Sequence, residues 1–255
     1  MLSFLQAKLK TPAASLGRYV LLLWRAFTAP PRELARHRAD FSRQMMRLGL
    51  ASLPIVMLAA AFTGGVTTVQ AIYQMRSPLI PKSTIGAIVV PSMILELGVL
   101  VAAFILAGRV GARIAAEIGA MRASEQIDAL EVMGLSAPGY LVAPRVVAGT
   151  LMFPVLYVAA CVVGAGAGTL VASASGALTP AEFILGARSF FTPFDALYGC
   201  TKALVFGFII TSVACYKGYY VEGGAEGVGE STTEAAVTSC IFVLLADYVL
   251  AATLL

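Results

Sequence analysis

Long stretches free of charge alternate with short polar links along the chain, and the stretches predict membrane-crossing helices. A span needs ~20 predominantly apolar residues to cover ~30 Å of hydrocarbon at ~1.5 Å per residue. Five segments reach that length: Leu48 to Met75, Ser83 to Gly108, Val146 to about Ser173, Ala196 to Tyr216 and Ala235 to Leu254. The second holds Glu96, the fourth Lys202 and the fifth Asp247. The first 47 residues are too charged to span. Arg18 and Arg25 share one helical face, while Leu16, Val20, Leu23 and Phe27 form an apolar one, which predicts a helix lying in the interface plane. Arg32, Arg36, Arg43 and Arg47 continue the cationic stripe. Such a stripe suits anionic headgroups, at about 1 kcal/mol per cation near the surface. The expected fold is an all-α integral membrane protein, with an interfacial leader at residues 1–47 and a five-span domain at 48–255.

Composition strengthens this picture. With 59% hydrophobic and 13% charged residues, a chain of 255 residues has too little polar surface for a soluble domain. Nine of the eighteen Lys and Arg residues fall in the first 47 positions. Outside the spans, fourteen cations lie on the side of the N-terminus and three, Arg76, Lys82 and Arg188, on the other. That asymmetry predicts a cytoplasmic N-terminus and, with an odd number of spans, a C-terminus outside. An odd count also disfavours two equal inverted halves.

Intramembrane charge marks candidate chemistry. Glu96 sits about midway along its span, where an unpaired carboxylate costs several kcal/mol, so it needs a cavity, a partner or a proton. Lys202 lies near enough to the outer interface to reach water by snorkelling, or else it is functional. Asp247 reads first as a structural hydrogen bond to a neighbouring helix. Gly164, Gly166 and Gly168 predict close helix contact, because no Lys-Ser or Lys-Thr follows them as in a phosphate loop. Pro54, Pro91 and Pro154, with Gly64 and Gly65, predict kinks whose backbone groups need protein or a water-filled cavity.

The links differ in kind. From Glu117 to Gly134 the sequence predicts one amphipathic helix: Glu117, Glu125, Asp128 and Glu131 fall within an arc of about 120°, opposite Ala120, Ala123, Ile127 and Leu130. Gly134 suits its stop. This is either a solvated interfacial helix or a docking helix for a soluble partner. The last link, from Tyr216, is glycine-rich and carries Glu222, Glu226, Glu230 and Glu234. It predicts a shaped turn up to Ser231, where Ser231 and Glu234 fit a capping box. The carboxylates lack EF-hand spacing. Cys161, Cys200, Cys215 and Cys240 are widely spaced and His37 is the sole histidine, so neither a metal site, a disulfide framework nor a Ser-His-Asp arrangement is expected. Without a GxxxxGK[ST] motif the chain does not hydrolyse ATP through a P-loop of its own. No enzyme and no nucleic-acid binding are expected.

Leu95 to Gly134 (LELGVLVAAFILAGRVGARIAAEIGAMRASEQIDALEVMG), APRVVAG at Ala143 to Gly149 and GGAEGVGEST at Gly223 to Thr232 together resemble the MlaE/YrbE family of permeases. The resemblance covers the chain from about Phe62 onward. Leu95 departs from it where many relatives have arginine, and Val99 where they have proline. It implies the transmembrane subunit of an ABC-type transporter associated with MCE proteins, moving phospholipid between the inner and outer membranes of a bacterial envelope. It further implies a second copy of the chain, a cytoplasmic P-loop ATPase dimer that binds the ATP and Mg, a periplasmic MCE hexamer and often a small STAS-domain protein. The chain itself would hold no cofactor. By the same resemblance Glu96 and Lys202 line the lipid path, with Leu79 a further candidate, and the ATPase grips Glu117, Met121, Arg122, Glu125, Asp128 and Glu131. A rival reading of the residues alone is a stand-alone ion- or proton-coupled carrier using Glu96 and Asp247.

Overall fold

The computed structural model describes residues 2–28, 38–75 and 81–254. Arg32, Arg36, His37, Arg76 and Leu79 lie outside the described residues. The described residues are all-α and carry five helical stretches long and apolar enough to cross a membrane: Phe41–Gln74, Thr84–Ala123, Ala137–Ala174, Pro193–Tyr219 and Gly224–Leu254. These coincide with the five segments expected from hydropathy, to within one residue at Met75 and Ser83, and mostly carry further helix at one or both ends. The apolar pattern marks hydrocarbon, whereas helical hydrogen bonding continues into the polar links.

In chain order, α1 covers Leu2–Phe27, α2 Arg38–Leu48 and α3 Leu53–Gln74. The second stretch is α4 (Thr84–Ser92), α5 (Gly98–Leu106) and α6 (Ala112–Ala123), joined end to end by two π-helical turns at Met93–Leu97 and Ala107–Gly111. Then come α7 (Gln126–Val132), α8 (Ala137–Leu141), α9 (Ala143–Ala174), α10 (Pro180–Phe190), α11 (Pro193–Tyr219) and α12 (Gly224–Leu254). The helix α9 packs between α3 and α11, and α11 packs against α12. The second stretch crosses this row, touching α10 through α4, α9 through α5, and α11 and α12 through α6.

Small residues set the closest crossing. A Cβ on Gly64 of α3 would stand 2.1 Å from the Gly164 carbonyl of α9, and one on Gly168 would stand 2.7 Å from Thr68 Oγ1. Gly164 and Gly168, four apart, thus form the contact face, while Gly166 points elsewhere with open space around it. Thr68 donates to the Gly64 carbonyl at 2.8 Å, so its hydroxyl is satisfied inside the seam. The helix α10 starts with a closed capping box. The Thr179 backbone N–H and hydroxyl both donate to Glu182 and hold its carboxyl below the usual carboxylate range.

The leader helix α1 lies against the bundle through Leu22 and Ala26, both buried. Leu23 packs partly against the core while Leu16, Val20 and Phe27 stay exposed, so most of the apolar face read from the sequence is left uncovered by the described residues. Arg18 stands 5.9 Å from the ring centre of Tyr220, and Tyr19 shares a 2.8 Å hydrogen bond with Ser212 of α11.

Two expectations change. The segment from Glu117 to Gly134 is two helices: α6 ends at Ala123, and α7 begins after Glu125, which adopts φ 59. This left-handed conformation costs a non-glycine residue roughly 1 kcal/mol and turns the chain where a single periodicity had suggested continuity. Likewise α12 starts at Gly224, so Ser231 lies inside the helix and donates to the Val228 carbonyl at 2.9 Å instead of capping. Gly223 and Gly224, at φ 91 and 65, turn the chain into its first residue.

Gly64→Ala is expected to destabilise the bundle by about 1–3 kcal/mol, since the methyl meets backbone that cannot swing away. Gly166→Ala is expected to stay within about 0.5 kcal/mol of the parent. Reversible unfolding of both variants in detergent checks the pair; equal losses would remove the α3–α9 seam as the cause.

Candidate functional site in the membrane span

Pro91 begins the local account of the site. It lacks an N–H, which leaves a carbonyl one turn earlier without its helical donor, and the π turn at Met93–Leu97 follows two residues later. There the Gly98 N–H reaches back to the Met93 carbonyl. Side chains from neighbouring helices bond to the carbonyls of this turn: Tyr157 Oη donates to Ile94 at 2.8 Å, Cys161 Sγ to Met93 at 3.4 Å, and Lys202 Nζ to Leu95 at 3.4 Å. Backbone groups inside a bilayer require such partners, so the irregular turn is possible only because α9 and α11 serve it.

The wider turn carries Glu96 toward α11. Lys202 Nζ donates to Glu96 Oε2 at 2.6 Å and lies 2.7 Å from Asp247 Oδ1 of α12, an ion pair outside hydrogen-bond alignment. The Lys202 side chain is 0% exposed, Asp247 13% and Glu96 41%. The Tyr198 ring completes the surroundings, its centre 4.8 Å from the ammonium. Each member sits about two to three turns in from one end of its helix, on the side of the bundle away from α1. Three helices therefore converge on one cation, and the carboxylate of Glu96 opens outward.

Lys202 does not snorkel. Two carboxylates on adjacent helices hold its ammonium inside, and this arrangement costs less than pulling either acid into hydrocarbon alone. Glu96 and Lys202, singled out separately in the sequence, are thus one unit. Asp247, read as a structural hydrogen-bonding residue, is its third member, and Tyr198 carried no sequence signal. Beside the turn, on the same side, lies an apolar groove of about 340 Å³ lined by Val90, Ile94, Gly166, Phe183 and Phe191, with Arg188 at its edge.

On the α1 side, the acids of the second link divide between two helices. Glu117 in α6 accepts from Arg113 at 2.9 Å and lies 3.5 Å from Arg145. Arg122 pairs with Asp128, and Tyr219 of α11 donates to Glu131 at 2.9 Å. Glu125 occupies the corner, and Met121 turns inward against the core. Ile127 is buried and anchors α7. Its end is closed by Gly134 at φ 76, with N–H bonds from Gly134 to Glu131 and from Leu135 to Leu130. This presents Val132 and Met133, 89% and 65% exposed, at a projecting tip. In the sequence this tip is marked by two apolar side chains just before a helix-stopping glycine, beside a more conspicuous arc of acids.

Comparison with known proteins agrees with these features. A model of the family described as Permease MlaE matches residues 41–253. The chain is 37% identical to a probable ABC transporter permease protein of Rickettsia bellii, over 93% of this chain and 91% of that one. It is 38% identical to a probable ABC transporter permease protein of Synechocystis, over 84% of this chain and 81% of the other. It is 32% identical to the intermembrane phospholipid transport system permease protein MlaE of Haemophilus influenzae, over 93% and 91%. With its five apolar helices and a match spanning all of them, the chain is a multi-pass membrane protein that belongs to the MlaE permease family.

Proposed function

We propose that this chain is the permease of an ATP-driven lipid transporter that moves phospholipid between the inner and outer membranes of a bacterial envelope. The observation that carries the reading is the Glu96–Lys202–Asp247 cluster, an ionic centre inside an apolar bundle that opens on the Glu96 side beside an apolar groove. Such a site suits an amphiphile: the groove takes part of an acyl chain, and the charged centre meets a polar headgroup. The phospholipid named for the Haemophilus relative fits that chemistry.

In this reading the chain lies in the inner membrane with α1 on the cytoplasmic side. Separate P-loop ATPase subunits bind the ATP and Mg and press on the tip at Val132 and Met133. A second copy of the chain packs along α12, where Val237, Ile241, Leu244, Leu245 and Tyr248 are exposed on one helical face. A periplasmic MCE hexamer receives the lipid, and a STAS-domain protein joins the ATPase. Nucleotide can shift the permease only if the ATPase holds the tip differently in its two states. Lys202 offsets one of the two negative charges, so the rival carrier reading keeps one carboxylate of the cluster for a coupling proton, and gradient dependence of transport separates the two readings.

Val132→Asp is expected to reduce ATP-dependent lipid transfer in proteoliposomes at least about tenfold, since a desolvated interface contact of this size is worth about 1.4 kcal/mol or more. Parental transfer rates would overturn the docking assignment. Purification from native membranes in mild detergent, with mass spectrometry of proteins and lipids, tests the rest. Recovery of a P-loop ATPase, an MCE protein and phospholipid supports the reading, whereas a chain recovered alone with gradient-dependent transport replaces it. For the charged centre, Lys202→Met is expected to cost about 3–5 kcal/mol by stranding two carboxylates, and Glu96→Gln with Asp247→Asn in the same chain should recover most of it. Unfolding midpoints that fail to rise in the triple variant would show that charge pairing is not what holds the three helices.

A further inference from the structure

On the α1 side, α2, α6, α8 and α9 surround a cavity of about 230 Å³ that is separate from the intramembrane cluster and from the projecting tip. Its lining includes Arg43, Arg47, Arg145, Met121, Tyr140 and Leu141. Of the guanidinium groups on this cavity, that of Arg145 points to an anion: Glu117, its carboxylate partner, is already shared with Arg113.

Arg145 makes this a built site. Its side chain is 8% exposed, its Nη2 stands 3.5 Å from Glu117, and its Nε and Nη1 are buried with no hydrogen-bond acceptor among the described residues. Buried guanidinium N–H groups left unmet are costly, and an anion in the cavity would meet them. The position of the cavity narrows the class of anion. Arg43 and Arg47 lie in the first two turns of the first membrane-crossing stretch, Phe41–Gln74, on the side of the leader where the interface with lipid headgroups is expected. Met121 and Leu141 make part of the wall apolar, and Met46 and Leu50 beside it are exposed, offering surface to acyl chains.

We propose that this cavity binds the phosphate of an anionic lipid headgroup, held by Arg43, Arg47 and Arg145, with the glycerol end of the lipid against its apolar wall. Soluble phosphate would leave that wall uncovered. An acidic side chain from a cytoplasmic partner would more readily meet the outermost surface of α7 than a cavity between α2 and α9. Occupation satisfies Arg145 while leaving its contact with Glu117 in place, so a bound headgroup braces the junction from which α6 leads to the tip. The assignment holds whether or not lipid is also the cargo.

The test is titration of the purified full-length chain, in a neutral maltoside detergent, with dioctanoyl phosphatidylglycerol, dioctanoylglycerol and inorganic phosphate. Saturable binding of phosphatidylglycerol alone is expected. Arg43→Gln with Arg47→Gln, both exposed positions, should weaken it about tenfold or more, as should Arg145→Gln. The exposed pair keeps the test decisive if Arg145→Gln fails to fold. Phosphatidylglycerol affinity unchanged in the exposed-pair variant overturns the proposal. Inorganic phosphate binding as tightly as the lipid would make this a free-phosphate site instead. Absence of lipid binding, with loss of ATPase capture in the exposed-pair variant, would assign the cavity to a partner's acidic side chain.

Discussion

An ammonium group cannot remain in a hydrocarbon-filled bundle without compensation, and the far half of this structure is organised around that constraint. Lys202 has no exposed surface, so its charge is met by Glu96 from the second membrane stretch and Asp247 from the last. Either carboxylate alone would balance the ammonium charge but tie α11 to one neighbour; together they bind it to two helices at once. Sliding any of the three by one residue would rotate its charged group by about 100° and break the centre. The cluster therefore sets register as well as charge.

The π turn and the glycine seam make that convergence possible. Pro91 and the widened turn move Glu96 off the ordinary helical path and open carbonyls that Tyr157, Cys161 and Lys202 then satisfy. Gly64 and Gly164 let α3 and α9 approach to backbone contact, which positions Tyr157 and Cys161 beside the turn. Bilayer physics penalises an irregular backbone heavily, so its presence here is affordable only at a site surrounded by protein.

The two ends of the molecule are joined by shared helices. The stretch Thr84–Ala123 carries Glu96 near one end and Glu117 near the other, and α11 carries both Lys202 and Tyr219, the partner of Glu131. A displacement at α7 thus has a continuous physical route to the charged centre through rigid helix and side-chain bonds.

Five spans, the three charged intramembrane positions, the basic leader and the family were legible in the sequence, because a low-dielectric solvent imposes its demands residue by residue on length and charge. Gly164 and Gly168 were legible as contact residues for the same reason: in lipid, close packing replaces hydrophobic burial as the force between helices. Partnership was not legible. Lys202 read as a residue able to reach water, and only the convergence of three helices, more than a hundred residues apart between Glu96 and Lys202, showed that it stays inside. The break at Glu125, the early start of α12 and the outward tip at Val132 and Met133 depend on which neighbours a helix meets, and periodicity along one helix carries no information about the helix across from it.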